Sequence, residues 1–284
     1  AKPWWETIGR KGDGRMATLP EAEKIDIGRV VSRGFAALQA NFLPFAGLAF
    51  LLSGVPTFLL QYLTLSGIEQ AATTGDLAYM LRPAFWGMAL ASGLVSLLVA
   101  ALLQAMLVGA TIRYLGGRDP ALARGVGDAL RLILPLIALS IVSAVLIGLG
   151  FLLLIVPGFM VMTALMVAVA AMVEERRGVF ASLRRSRDLT RGSRGRIFLL
   201  LILFWIISSI VSALLAGFTS VATGTPAFAP APPGAFNSAV MAAGSAIAGS
   251  LTALVVAVLV SALYVELRTV KEGASVDDLS AVFG

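Results

Sequence analysis

The residues best equipped for chemistry are six arginines in one short stretch: Arg176, Arg177, Arg184, Arg185, Arg187 and Arg191. A guanidinium stays charged at any accessible pH and presents a planar fork of donors that matches two phosphate oxygens. Beside apolar runs, such a segment reads as a set of ligands for anionic phospholipid headgroups, each basic residue near an anionic leaflet adding about 1 kcal/mol. The same arginines also read as topology signals that hold the segment on one side of a membrane. Val179, Leu183, Ser186 and Thr190 fall on one helical face, with Phe180 beside it and arginines over the rest.

Acids flank the segment. Glu174 and Glu175 precede Arg176, and Glu266 stands just before Arg268. Glu174, Glu266 and Arg268 are candidates for ion pairs that tie one span to another; hydrated helix ends are the alternative. Paired carboxylates can do acid–base work, but adjacent residues on a helix point in different directions. The chain has no His and no Cys, which removes imidazole and thiol chemistry. Gly-rich nucleotide loops, zinc-ligand spacings and nucleophile elbows are absent as well. The expectation is a protein that is not an enzyme, with no catalytic, metal or cofactor-binding residues.

What must position these groups is a membrane bundle. Of 284 residues, 58% are hydrophobic and 13% charged, with a mean hydropathy of +0.91; a soluble domain is roughly half apolar and a quarter charged. Long Leu, Ala, Val and Ile runs without strand-like alternation predict an all-α polytopic membrane protein, because spanning helices satisfy their own backbone. Six spans are expected, at about 42–65, 84–114, 132–155, 159–173, 197–221 and 238–264. Pro44 and Pro56 interrupt the first, a polar loop over 66–83 follows it, and Val156-Pro157-Gly158 is expected to turn the chain between the third and fourth.

An amphipathic segment precedes each pair of spans: one opened by Thr18-Leu19-Pro20-Glu21, one by Asp119-Pro120, and the arginine segment itself. The pattern predicts three hairpins, each led by a cytoplasmic amphipathic helix. A polar tail over 1–17, a membrane domain over 18–266 and a C-terminal tail over 267–284 complete the chain, with Ser275 and Asp278 at capping-box spacing in the last. Of the 22 Lys and Arg, only Arg82 falls on the far side of this layout. The positive-inside rule then puts both termini and the amphipathic segments in the cytoplasm. The formal charge of +6 and pI of about 10.2 point to anionic lipid rather than nucleic acid, because the basic residues sit beside spans.

Around the arginines the chain also resembles a known family. Pro157-Gly158, Glu174, Gly178 through Ala181, Arg185-Ser186, Leu189-Thr190 and Gly192 are similar to the signature of the glycerophosphoryl diester phosphodiesterase membrane-domain family. Tyr264-Val265-Glu266-Leu267-Arg268 and Lys271-Glu272-Gly273 resemble its closing segment, although a second aromatic and an Asp are more usual than Val265 and Glu266. The resemblance implies a bacterial inner-membrane protein with six or more spans. In some members this membrane part is fused to a soluble phosphodiesterase barrel whose catalysis needs His; this chain has no His and no room for a barrel. Only the membrane module is implied.

The expected function is a non-catalytic module that binds anionic phospholipid at the cytoplasmic face and serves as an accessory or scaffold subunit of a larger membrane assembly. A transporter, channel or lipid-moving protein is the alternative. It draws on the repeated hairpin pattern and the Pro-broken first span, and is weakened by the absence of charge at mid-depth in the spans.

Overall fold

The computed structural model describes residues 25–76, 78–120, 122–224 and 234–273. The expected N-terminal tail, the Thr18–Glu21 helix start and the Ser275/Asp278 cap lie outside them. Among the described residues there is no strand, and six helices are long and apolar enough to cross a membrane: Phe42–Thr74, Pro83–Leu115, Arg131–Leu153, Ile155–Glu175, Arg194–Thr223 and Phe236–Glu272.

The chain opens with helix α1 (Ile27–Ala40), capped by Asp26, whose carboxylate accepts from the backbone N–H groups of Gly28 and Arg29. Residues 25 and 26 are not helical, and α1 begins only after Asp26. The cap explains the start: a side-chain acceptor satisfies N–H groups that have no partner in the first turn. The first span then comprises α2 (Phe42–Ala49), a π-helical turn over Phe50–Gly54 and α3 (Val55–Thr74). The wide turn sits just ahead of Pro56, whose missing N–H and bulky ring cannot continue a regular helix.

α3 runs well past the expected end at 65. Glu69, Gln70, Ala71 and Ala72 are good helix formers; the loss of hydropathy there was no loss of helix. Gly75, in the left-handed conformation at φ 71°, ends it. An Asp76–Arg82 ion pair at 2.6 Å then braces the short connection into α4 (Pro83–Leu115).

The second amphipathic segment is not a separate helix. It merges into α5 (Leu122–Leu153), which carries Pro135 in its interior. Gly125, Gly127 and Asp128 stand just before the expected span, but the helix runs through them without a break. The turn to the next span is at Leu154, which is extended, rather than at Val156-Pro157-Gly158; those residues form the first turn of α6 (Ile155–Leu165). Proline is tolerated there because its absent N–H would have no helical partner anyway. Gly158 has a different reason to be glycine: a Cβ would meet the Phe151 ring of α5 at 2.4 Å.

Span four breaks after α6 and resumes as α7 (Ala168–Glu175). Helix α8 (Val179–Thr190) carries the arginines, and α9 (Arg194–Thr223) is span five. Span six is α10 (Ala235–Glu272), ended by left-handed Gly273, so the expected boundary at 266 falls inside a helix. Its small residues let α9 come close at Gly244, where a Cβ would lie 2.6 Å from Thr219 Cγ2.

α10 is the hub, touching α1, α3, α4, α7, α8 and α9. The core is concentrated toward its C-terminal end: Leu254, Ala257, Val258, Leu263, Tyr264 and Leu267 pack with Val30 and Ala37 of α1, Leu103 and Leu107 of α4, Ala170 and Ala171 of α7, and Leu189 of α8. At the other end α3 buries no residue, and α9 exposes Trp205, Ile210, Leu214, Phe218 and Val221. An apolar exterior of this kind suits hydrocarbon rather than water. The molecule thus has a closed base at the arginine end, while toward the other end the spans still pack on α10 but leave apolar side chains exposed.

Candidate functional site

The base is cross-linked by charge. Glu266 of α10 is 1% exposed and meets two arginines of α1: Arg29 Nε at 3.0 Å and Arg33 Nη1 at 2.9 Å. It is the only acid among the described residues buried to this degree, and two guanidiniums compensate it, as burial of a charge requires. Glu266 therefore pairs with α1 and not with Arg268, its near neighbour in sequence.

A second cluster joins α7, α8 and α10. Glu175 Oε1 accepts from Arg185 Nε (2.7 Å) and from the hydroxyl of Tyr264 (2.9 Å), and its Oε2 forms an ion pair with Arg177, whose Nε lies 2.6 Å away. Arg185 also donates to Glu272, to which Arg268 donates at 3.0 Å. Burial pulls the Arg185 guanidinium's pKa down, but the hydrogen bonds to Glu175 and Glu272 more than offset this and hold it above its ordinary value. Of the adjacent acids it is Glu175 that makes these bonds, while Glu174 is exposed. The sequence expectation was one residue early. Arg176, at φ 48°, ends α7 in a left-handed conformation that a non-glycine residue adopts at a cost, and this reverses the chain so that Arg177 returns to Glu175.

α8 docks against the break in span four. Where α6 stops, the backbone carbonyl of Ala164 accepts from Ser186 Oγ (2.8 Å) and Thr190 Oγ1 (3.4 Å). Ser182, Ser186 and Thr190 are fully buried. The face expected from Leu183, Ser186 and Thr190 therefore meets protein, and its hydroxyls satisfy carbonyl groups that an interrupted helix frees. Phe180 is exposed.

The opposite face of α8 carries Arg184 and Arg187, both exposed, and leads on to exposed Arg191. Their spacing of three and four residues puts them along one stripe. With Asp188, Gly192, Arg194 and Gly195 they line a basic pocket of about 620 Å³. Arg184, Arg187 and Arg194 also stand at a second, apolar groove of about 730 Å³, walled by Leu146 of α5, by Pro157, Met160, Val161, Ala164 and Leu165 of α6, and by Leu183. Arg194 was not among the sequence candidates; it lies across the Gly192 turn, and only the continuation of the stripe beyond Arg191 points to it. Its Nε is buried without a hydrogen-bond partner among the described residues.

The six candidate arginines thus divide. Arg177 and Arg185 are engaged in structural ion pairs with Glu175, Arg176 sits at the chain reversal, and Arg184, Arg187 and Arg191 gather with Arg194 around an open basic pocket.

No curated protein and no solved structure matches the chain. A family model does match, over residues 28–267, described as a domain of unknown function, DUF7847. That span begins in α1 and ends just past Glu266, so it takes in both sides of the α1–α10 ion pair as well as the basic pocket. With most of its length inside the match, the chain belongs to the DUF7847 family.

Proposed function

We propose that this protein is a non-catalytic, multi-pass module of a bacterial cytoplasmic membrane that binds anionic phospholipid at its cytoplasmic face and serves there as an accessory or scaffold subunit of a larger assembly. The observation that carries the reading is the division of the arginines: Arg184, Arg187, Arg191 and Arg194 line one pocket together with a single acid, Asp188. A pocket with this excess of guanidinium groups favours phosphate oxygens. The concentration of Lys and Arg at the closed base supports an orientation with both termini cytoplasmic. The packing of α5 on α6 and of α9 on α10 fits consecutive spans paired as hairpins.

A second reading, a lipid-moving protein or transporter, is favoured by the two interrupted spans, at the π turn and at the α6–α7 break; broken spans are where such proteins hold substrates. Native mass spectrometry of the full chain, gently extracted and exchanged into matched phosphatidylglycerol and phosphatidylcholine, tests the primary reading. Preferential retention of the anionic lipid is the expected result, and equal retention of the two would refute it. Co-extraction of a stoichiometric protein is the expected sign of the assembly role; its absence from crosslinked source membranes would refute that part.

A further inference from the structure

The basic pocket and the apolar groove share Arg184, Arg187 and Arg194. A purely electrostatic surface has no need of the second part. A headgroup attracted to exposed arginines stays with its acyl chains in the surrounding bilayer and exchanges freely. Here the three arginines instead line both a polar compartment and an adjoining apolar one, the two-part shape of a phospholipid. The volumes, about 620 and 730 Å³, each lie within the range of about 300–1,000 Å³ typical of small-molecule sites. From Ala164 to Pro157 the apolar wall extends roughly 10 Å along α6, at 1.5 Å per residue, enough to seat part of an acyl chain.

Resting on the lipid-binding reading above, we infer that the protein holds one glycerophospholipid in a defined site, its phosphate between Arg184, Arg187 and Arg194 and one acyl chain along the groove of α5, α6 and α8. Asp188 lines the basic side and opposes a phosphate, so the site favours a headgroup that offers hydroxyl donors to that carboxylate, as a phosphoglycerol does. The groove wall includes Ala164 and Leu165 at the α6–α7 break, so the bound lipid also braces the joint on which α8 is docked.

The test titrates the detergent-solubilised full chain with palmitoyl-oleoyl-phosphatidylglycerol and follows bound lipid by native mass spectrometry, with thermal unfolding in parallel. A first lipid that saturates at one per chain and raises the unfolding temperature is expected. Arg184→Gln and Arg194→Gln should each weaken that first lipid about tenfold, equivalent to about 1.4 kcal/mol. Val161→Trp, which fills the groove, should abolish it while leaving weaker, additional lipids in place. Because the tryptophan variant can fail to fold, the wild-type chain is also given lysophosphatidylglycerol and glycerol 3-phosphate. The one-chain lipid should stabilise and the soluble phosphate should not. Equal stabilisation by glycerol 3-phosphate would identify a free-phosphate site and overturn the inference. A graded series of anionic lipids without a distinct first one would overturn the single site yet leave the surface-binding reading standing. Loss of any preference for anionic lipid would remove both.

Discussion

The α1–α10 ion pair gives the most direct test of how the base is held. In Glu266→Gln the side chain keeps its shape and one carbonyl acceptor, so what is lost is the charge facing Arg29 and Arg33. Removing one partner from a buried pair costs about 3–5 kcal/mol. The carboxylate is 1% exposed, but the arginine side chains are 39% and 32% exposed. They can rehydrate when released, as surface pairs do, which brings the expected cost to about 2–3 kcal/mol. Because α1 contacts the bundle mainly through α10, this cost falls on the detachment of α1. The assay is limited trypsin digestion of the detergent-solubilised protein, read by mass at Arg29 and Arg33. When opening is fast relative to cleavage, the rate follows the open population, so 2–3 kcal/mol becomes roughly a 30- to 140-fold acceleration. Arg33→Gln added to Glu266→Gln, read at Arg29 alone because trypsin does not cleave after glutamine, should contribute little more, because its partner is already neutral. Asp76→Asn, at the half-exposed pair with Arg82 in the α3–α4 connection, should not change cleavage in α1. Cleavage within twofold of wild type in Glu266→Gln would refute the clamp.

Other substitutions probe the remaining joints. Gly158→Ala should destabilise by about 1–3 kcal/mol, as overpacking does, because its Cβ would lie 2.4 Å from the Phe151 ring; thermal unfolding beside Gly148→Ala, which has open space at its Cβ, is the comparison. Ser186→Ala withdraws the shorter of two hydroxyl bonds to the Ala164 carbonyl and should cost about 1–2 kcal/mol in the same unfolding measurement. Arg185→Gln should lower stability by about 1–2 kcal/mol through loss of its charge-assisted bonds, whereas Arg187→Gln should leave stability unchanged and reduce retention of phosphatidylglycerol. The chain has no Cys, so single-cysteine variants report orientation cleanly: Thr73→Cys should react with an impermeant maleimide in intact cells, and Gly195→Cys only after permeabilisation.

The spans were legible because each is a long apolar run, and their ends were not, because helix and hydropathy stop at different places. Residues 66–74 lose hydropathy while Glu69, Gln70 and the alanines keep helix propensity, and Glu69 is held by Ser238 Oγ at 2.7 Å, near the start of α10. The same happens at 267–272, where Arg268, Lys271 and Glu272 read as a tail but continue α10, Glu272 bonding Arg185 of α8 and Lys271 the carbonyl of Arg191 at its end. Val156-Pro157-Gly158 has the composition of a turn. Its proline instead lies in a first helical turn, and its glycine answers to Phe151, more than a turn away in another helix.

The site itself was only half legible, for a geometric reason. Adjacent residues on a helix differ by about 100°, so Arg184 and Arg185 must face different surroundings, but sequence does not say which of them meets protein. That depends on the phase of α8 against α6 and α10, and the α6–α7 break changes it: the broken helix leaves the Ala164 carbonyl as an acceptor for Ser186 and Thr190. Once those hydroxyls face inward, Arg185 falls between Glu175 and Glu272, and Arg184, Arg187 and Arg191 are left pointing out. The interrupted span thus selects which arginines are structural and which are available to a phosphate. Repairing the break would be expected to turn α8 and exchange the two classes, and this makes the joint at Leu165–Ala168 part of the binding site although it contributes no charge to it.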